Sequence, residues 1–334
     1  MKWNAFNLVE PAIDKTKELL FPIKLSYWMK LGFVSLLSAG TSFGKSMRFP
    51  SSGSSNFLTK KTTHLTENAI SNLPKSISWF IGFLVFVIGI AYLILNFISS
   101  VFTFIFIDAL VLKDYSIKKS WGKNKWRGAS FFGFRILISI IALLILGLIF
   151  LPLIIQLFQQ GLVNYFTENS FLTILFTLIP SIILAILWIL IIGIFMVFVL
   201  NFSLVDMYKN KINITQSIKN TFRQIKNQKL ESFIYLLANL VFSLAVVILS
   251  SIIILPVLII FGIIGIIFFF GIFIFSKLAA IMILIPYVVF VIYTFSVVLL
   301  PLSVFMRYFS LLGYEKLFNT KIISNKELIK SKII

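Results

Sequence analysis

From Ser232 to Ser276 the chain carries no charged residue, and between there and Arg307 the only charge is Lys277. Few environments accept such a run. A soluble fold would need polar residues to cover it, whereas a helix crossing the ~30 Å hydrocarbon core of a bilayer needs about 20 apolar residues. Three further blocks share its character: Ile77 to Leu112, Ala129 to Phe158 and Phe171 to Met207. Tyr27 to Gly44 is a weaker fifth, short and interrupted by Lys30, Ser35, Ser38, Thr41 and Ser42. With 59% of 334 residues hydrophobic and a mean hydropathy of +1.03, the chain reads as an all-α polytopic membrane protein.

Charge sets the expected number of crossings. Thirty Lys and Arg stand against 11 Asp and Glu. In a soluble protein that excess would point to nucleic acid. Here the basic residues fall in short segments between apolar runs, as the positive-inside rule places them, so no nucleic acid partner is expected. Segments 1–26, 113–128, 209–231 and 307–334 hold 4, 6, 6 and 6 Lys or Arg; 45–76 holds five, and 159–170 and 261–271 hold none. The first four segments, with both termini, are therefore expected in the cytoplasm, and the plasma membrane is the expected location.

Six transmembrane helices follow, as three hairpins in one integral membrane domain. An amphipathic cytoplasmic segment (1–26) precedes hairpin 1 (27–112), whose outer loop, 45–76, is Ser-, Thr- and Asn-rich and is expected to be mobile. Hairpins 2 (129–208) and 3 (232–308) follow, then a basic cytoplasmic tail (309–334). The connection inside the third, Phe261 to Gly271, is apolar with three glycines. It is expected to turn within the outer leaflet, as a re-entrant segment or a sharply bent helix covered by other helices.

An internal repeat of about 100 residues agrees with this count. Asp108 ends Val101-Phe-Thr-Phe-Ile-Phe-Ile-Asp, and Asp206 ends Val199-Leu-Asn-Phe-Ser-Leu-Val-Asp, 98 positions later. Leu299-Leu-Pro-Leu-Ser-Val-Phe-Met matches the second of these, with Tyr308 answering Tyr208. Leu151-Pro152 likewise corresponds to Leu255-Pro256, and Ser130-Phe131 to Ser232-Phe233.

Three stretches suit a membrane surface. Trp3 to Leu20 carries Glu10, Asp14, Lys15, Lys17 and Glu18 between apolar residues at helical spacing, so it reads as an amphipathic helix and not a cleavable signal peptide. In the second, Ile214, Ile218, Phe222 and Ile225 form an apolar stripe beside Lys219, Arg223, Lys226 and Lys229. The third groups Lys118, Lys119, Lys123, Lys125 and Arg127 with Trp121 and Trp126, two residues that suit the interface. Each basic residue near an anionic surface contributes about 1 kcal/mol, so these are candidates for binding lipid headgroups.

The inventory leaves little for chemistry. Cysteine is absent and His64 is the only histidine, which removes disulfides, thiolates and His-pair metal sites. Neither enzyme activity nor a cofactor or metal is expected. Asn96, Asn201 and Asn239 are the asparagines inside spans; they either hydrogen-bond between helices or line a pathway. Asp108 and Asp206 sit where long helices reach the cytoplasmic face, paired with lysines or capping the next segment; the sharper reading makes them ligands. Arg135 is expected to snorkel to the inner interface, with those two aspartates its only partners in reach. Lys277 is read in the same way.

Phe106-Ile-Asp-Ala-Leu, Ser120-Trp121, Trp126-Arg127-Gly128, Phe132-Gly-Phe-Arg135 and Phe305-Met-Arg-Tyr-Phe-Ser-Leu-Leu-Gly313 together resemble an archaeal family of uncharacterised multi-pass membrane proteins. The opening Trp3-Asn-Ala and Leu20-Phe-Pro-Ile-Lys-Leu-Ser-Tyr-Trp28 matches that family's start. More distantly the chain is similar to the membrane domain found beside glycerophosphodiester phosphodiesterases, without their catalytic domain. The resemblance implies an architecture and no activity. The expectation is a non-catalytic membrane protein that binds anionic lipid, or a protein partner or further copies of itself. The alternative is a carrier for a lipid-like or apolar small molecule.

Overall fold

The computed structural model describes residues 5–38, 75–113, 116–160 and 168–323, and among them there is no strand. A short 3-10 turn, Ala5–Leu8, leads into α1, Val9–Leu20. Pro11 falls in its first turn, where a missing N–H costs nothing, and Leu8, Ala12, Thr16, Leu19 and Leu20 make its buried face. Then come α2 (Leu25–Ser38), α3 (Lys75–Leu112), α4 (Ile117–Gln160) and α5 (Glu168–Phe198). A five-residue π turn, Val199–Ser203, joins α5 to α6, Leu204–Asn210. The remaining helices are α7 (Ile214–Asn227), α8 (Lys229–Phe275), α9 (Lys277–Val298) and α10 (Leu300–Leu317).

Four stretches, 82–112, 117–156, 176–210 and 229–274, are long and apolar enough to cross a membrane; the count is five if α9 and α10 form one bent span. Those two meet at Leu299 with a bend of 52°. Pro301 explains it: without an N–H it cannot continue the hydrogen-bond ladder of α9. Pro152, Pro180, Pro256 and Pro286 lie inside helices, as spanning segments tolerate.

Several expected boundaries move. α4 begins at Ile117 and not Ala129, so the Trp- and Lys-rich stretch is the first three turns of the long helix. Polarity changes along it while nothing breaks it. Phe261–Gly271 is not a turn: α8 is helical throughout its 47 residues, about 70 Å along its axis. An unpaired carbonyl in lipid costs more than a glycine in a helix, so the helix persists. The break falls at Ser276, whose Oγ accepts a hydrogen bond from Ala279 N (3.3 Å) and so caps α9. α2 has 14 residues, about 21 Å, which is short of the hydrocarbon thickness, and 39–44 lie outside the described residues. So does the expected outer loop up to residue 74, and the tail beyond 323. The tail's start is helical to Leu317, after which the Ile322 and Ile323 amides donate to the Glu315 carboxylate.

The chain divides into two compact units. Unit 2 comprises 18–128 and 241–304. Within it α2 lies on α3 and α9: Phe33 meets Phe102 edge-on at 6.2 Å, Ser296 Oγ donates to the Gly32 carbonyl (2.8 Å) and Tyr293 donates to that of Met29 (2.9 Å). Phe102 continues to Trp121 at 5.8 Å. Gly128 makes this approach of α3 and α4 possible, since a Cβ there would sit 2.8 Å from Val101 Cα. The Tyr287 hydroxyl donates to the Phe261 carbonyl, pinning α9 to the second half of α8.

Unit 1 comprises 1–17, 129–240 and 305–334. An aromatic ladder organises it. Phe134 contacts Phe195 (6.3 Å), Phe198 contacts Phe202 (5.8 Å), Phe202 contacts Tyr235 (5.0 Å), and Tyr235 stacks on Phe309 (5.4 Å). α4 and α5 are further joined by Thr177 Oγ1 donating to Gln156 (2.7 Å) and Trp188 Nε1 donating to the Ala142 carbonyl (3.4 Å).

Candidate functional site

The π turn of unit 1 interrupts the regular hydrogen-bond ladder of the helix. In the wide turn the Leu204 amide bonds back to Val199, which frees neighbouring carbonyls for side chains. Ser310 Oγ donates to the Asn201 carbonyl (3.1 Å), and Ser217 Oγ donates to the Ser203 carbonyl (2.5 Å). The π turn thereby fixes α10 and α7 to the same few residues. One turn on, Asp206 is buried, and its Oδ1 accepts from Tyr314 (2.6 Å) and from Asn210 Nδ2 (2.7 Å).

Polar side chains gather around this point. On α10, Arg307, Ser310 and Tyr314 lie at helical spacing on one face and all three are buried. On α8, Ser232, Tyr235 and Asn239 do the same. Tyr235 faces Ser310 and the Arg307 guanidinium, and its ring fills the space over Gly313, where a Cβ would meet Cζ at 2.7 Å. Arg307 is 7% exposed and makes neither a hydrogen bond nor an ion pair with the described residues. The oxygens Ser203 Oγ, Ser232 Oγ, Asn239 Oδ1 and Asp206 Oδ2 are buried without a hydrogen-bond partner among the described residues. Each unmet group of this kind costs about 1–3 kcal/mol, and a buried charge without a counter-charge more.

Unit 2 has a smaller and better satisfied cluster. Asp108 is buried; Asn124 Nδ2 donates to its Oδ2 (2.6 Å) and Lys123 Nζ lies 3.6 Å from its Oδ1. Arg127 donates to Asn124 Oδ1 (2.8 Å), so one amide links the acid to a half-buried guanidinium. The two aspartates thus share burial while their partners differ. Asn96 turns its amide back to the Tyr92 carbonyl (2.9 Å) on its own helix. Arg135, in unit 1, folds back one turn over the Phe131 ring, 5.9 Å from its centroid. Of Lys277 the helix position alone is described.

The basic surfaces stand in the open. Lys118, Lys119, Lys123 and Lys125 are exposed on α4, and Lys219, Arg223 and Lys226 on α7, with Lys229 exposed at the start of α8. Trp126 is 78% exposed beside them, whereas Trp121 packs against Phe97 and Phe102 and offers little to an interface. On α7 the buried face is Ile214, Ser217 and Thr221 rather than the full apolar stripe. Phe222 is 61% exposed, touching Phe198 by an edge.

The sequence signalled Asp206, Asn201 and Asn239 but not Tyr235, Ser310, Tyr314 or the burial of Arg307. Charge counting places Arg307 in the basic segment 307–334, and only its spacing to Ser310 and Tyr314 hints that it belongs to a packed face. Residues 3–318 match the model of a family of unknown function (DUF7544). No curated protein and no solved structure matches the chain.

Proposed function

We propose, from the premise that the chain belongs to this family of unknown function and takes no activity from it, that it is a non-catalytic integral membrane protein whose basic helical surface binds anionic lipid headgroups. One observation carries the reading: on α7 and the start of α8, Lys219, Arg223, Lys226 and Lys229 are all exposed, and Phe222 is exposed among them. An apolar ring between cations is what a helix lying at the headgroup level presents. The six-span arrangement, the three repeated hairpins, the cytoplasmic termini, the plasma membrane and the archaeal kinship belong to the same proposal. The repeat draws support from Lys113 and Lys211, 98 positions apart, which both take left-handed backbone (φ 50° and 56°) just after a helix.

The test is retention of phosphatidylglycerol by the purified chain, measured by native mass spectrometry at rising salt. The variant K219Q/R223Q/K226Q/K229Q should lose most bound anionic lipid and most of the salt dependence. Equal retention by variant and parent would defeat the proposal. A second reading, a carrier for a lipid-like small molecule, is favoured by the buried Asn239 oxygen, which has no hydrogen-bond partner among the described residues.

A further inference from the structure

We propose that Asp206 and Ser203 hold a monovalent metal cation at the end of the π turn in unit 1. Asp206 is 1% exposed, and both of its donors, the Tyr314 hydroxyl (2.6 Å) and Asn210 Nδ2 (2.7 Å), are on Oδ1. Oδ2 is buried and meets no donor among the described residues. Neither Lys209, one turn on, nor Arg307 on α10 forms an ion pair with it. The corresponding acid of unit 2 is different: Asp108 has Lys123 at 3.6 Å from one oxygen and Asn124 on the other. A carboxylate sealed from water without a positive charge is costly, so Asp206 takes that charge from solution. Ser203 decides its nature. It is fully buried, and its hydroxyl has no partner among the described residues. Thr103, Ser181 and Thr221 give their hydroxyls to the carbonyl four residues back. At Ser203 that carbonyl belongs to Val199, and the π turn commits it to the Leu204 amide. Ser203 and Leu204 have α backbone, so Ser203 and Asp206 lie one turn apart on one side of the helix, with Cβ atoms roughly 5–6 Å apart. A proton on Asp206 would leave the serine as it is, whereas a cation coordinates both oxygens. Carboxylate and hydroxyl oxygens suit hard cations, and one carboxylate balances one charge. α6 ends at the exposed Asn210, about 6 Å further along the axis, which puts solvent and its ions one turn away.

The test is thermal unfolding of the full chain in detergent with sodium, potassium or choline chloride at one ionic strength. Sodium or potassium should raise the midpoint of the parent above its value in choline, and the rise should saturate. Asp206→Asn keeps an acceptor for Tyr314 and Asn210 and should abolish the difference between the salts, while Asp108→Asn retains it. Ser203→Ala breaks no hydrogen bond among the described residues, so the fold should survive it. It should leave the midpoint in choline unchanged or higher and weaken the apparent cation affinity about tenfold, the worth of one ligand to a charged group. The proposal is overturned if the parent does not distinguish either metal ion from choline, if Asp206→Asn responds as the parent does, or if Ser203→Ala leaves the affinity unchanged.

Discussion

Asp108 and Asp206 show how much depends on single partners. Both carboxylates are buried, yet Asp108 has a lysine and an amide, whereas Asp206 has a phenol and an amide and no cation in contact among the described residues. Asp206→Ala would leave the Tyr314 hydroxyl and the Asn210 amide facing an apolar gap. We expect a loss of about 2–3 kcal/mol, read as a lower denaturation midpoint in detergent. Asp108→Ala should cost less where Lys123, which is partly exposed, is free to turn to water. Backbone conformation gives an opposite effect at Lys211, where a left-handed residue closes α6. Lys211→Gly removes the steric penalty at that position and should raise stability by about 1 kcal/mol in the same measurement. The sequence reveals that these residues are unusual, because an acid at the end of an apolar run stands out. It does not reveal their partners: Tyr314 is 108 positions from Asp206, and only the packing of α10 on the π turn brings them together.

At the level of helices, two close approaches are held by glycine. Gly128 lets α4 lie on Val101 of α3, and Gly313 lets α10 lie on the Tyr235 ring of α8. Gly128→Ala and Gly313→Ala should each destabilise by about 1–3 kcal/mol through overpacking, while Gly133→Ala, with open space around it, should be neutral or slightly favourable. Thermal unfolding of the three variants side by side checks this ordering. The long helices themselves were legible in part: the apolar runs from Ile77 and Ala129 each lie inside one, the run from Phe171 passes through the π turn into α6, and the run from Ser232 covers α8 and stops at the break before α9. Their ends were not. Ile117–Gly128 is polar and still helical because no helix breaker interrupts it, and Phe261–Gly271 is glycine-rich and still helical because its backbone hydrogen bonds have no substitute in lipid. The buried face of α7 was offset for a related reason: Ser217 and Thr221 pack inward because their hydroxyls bond to carbonyls, which apolar periodicity does not register.

For the molecule as a whole, the distribution of lysine and arginine makes the topology testable. The chain has no cysteine, so single cysteines report cleanly. Lys125→Cys, Lys226→Cys and Lys330→Cys should all react with an impermeant label from the same side of sealed vesicles, and reaction from opposite sides would end the three-hairpin proposal. What composition conveyed at this scale was the class of protein. What it did not convey was the polar interior of unit 1, because Arg307 and its neighbours are too few to alter any average. The length of α8 has its own consequence. A helix of about 70 Å that is uncharged from Ser232 onward exceeds a ~30 Å hydrocarbon layer by more than a factor of two. Bilayers differ in thickness by only a few ångströms, so no choice of acyl chain shelters the whole of it, and steep tilt or cover from other protein must take up the excess.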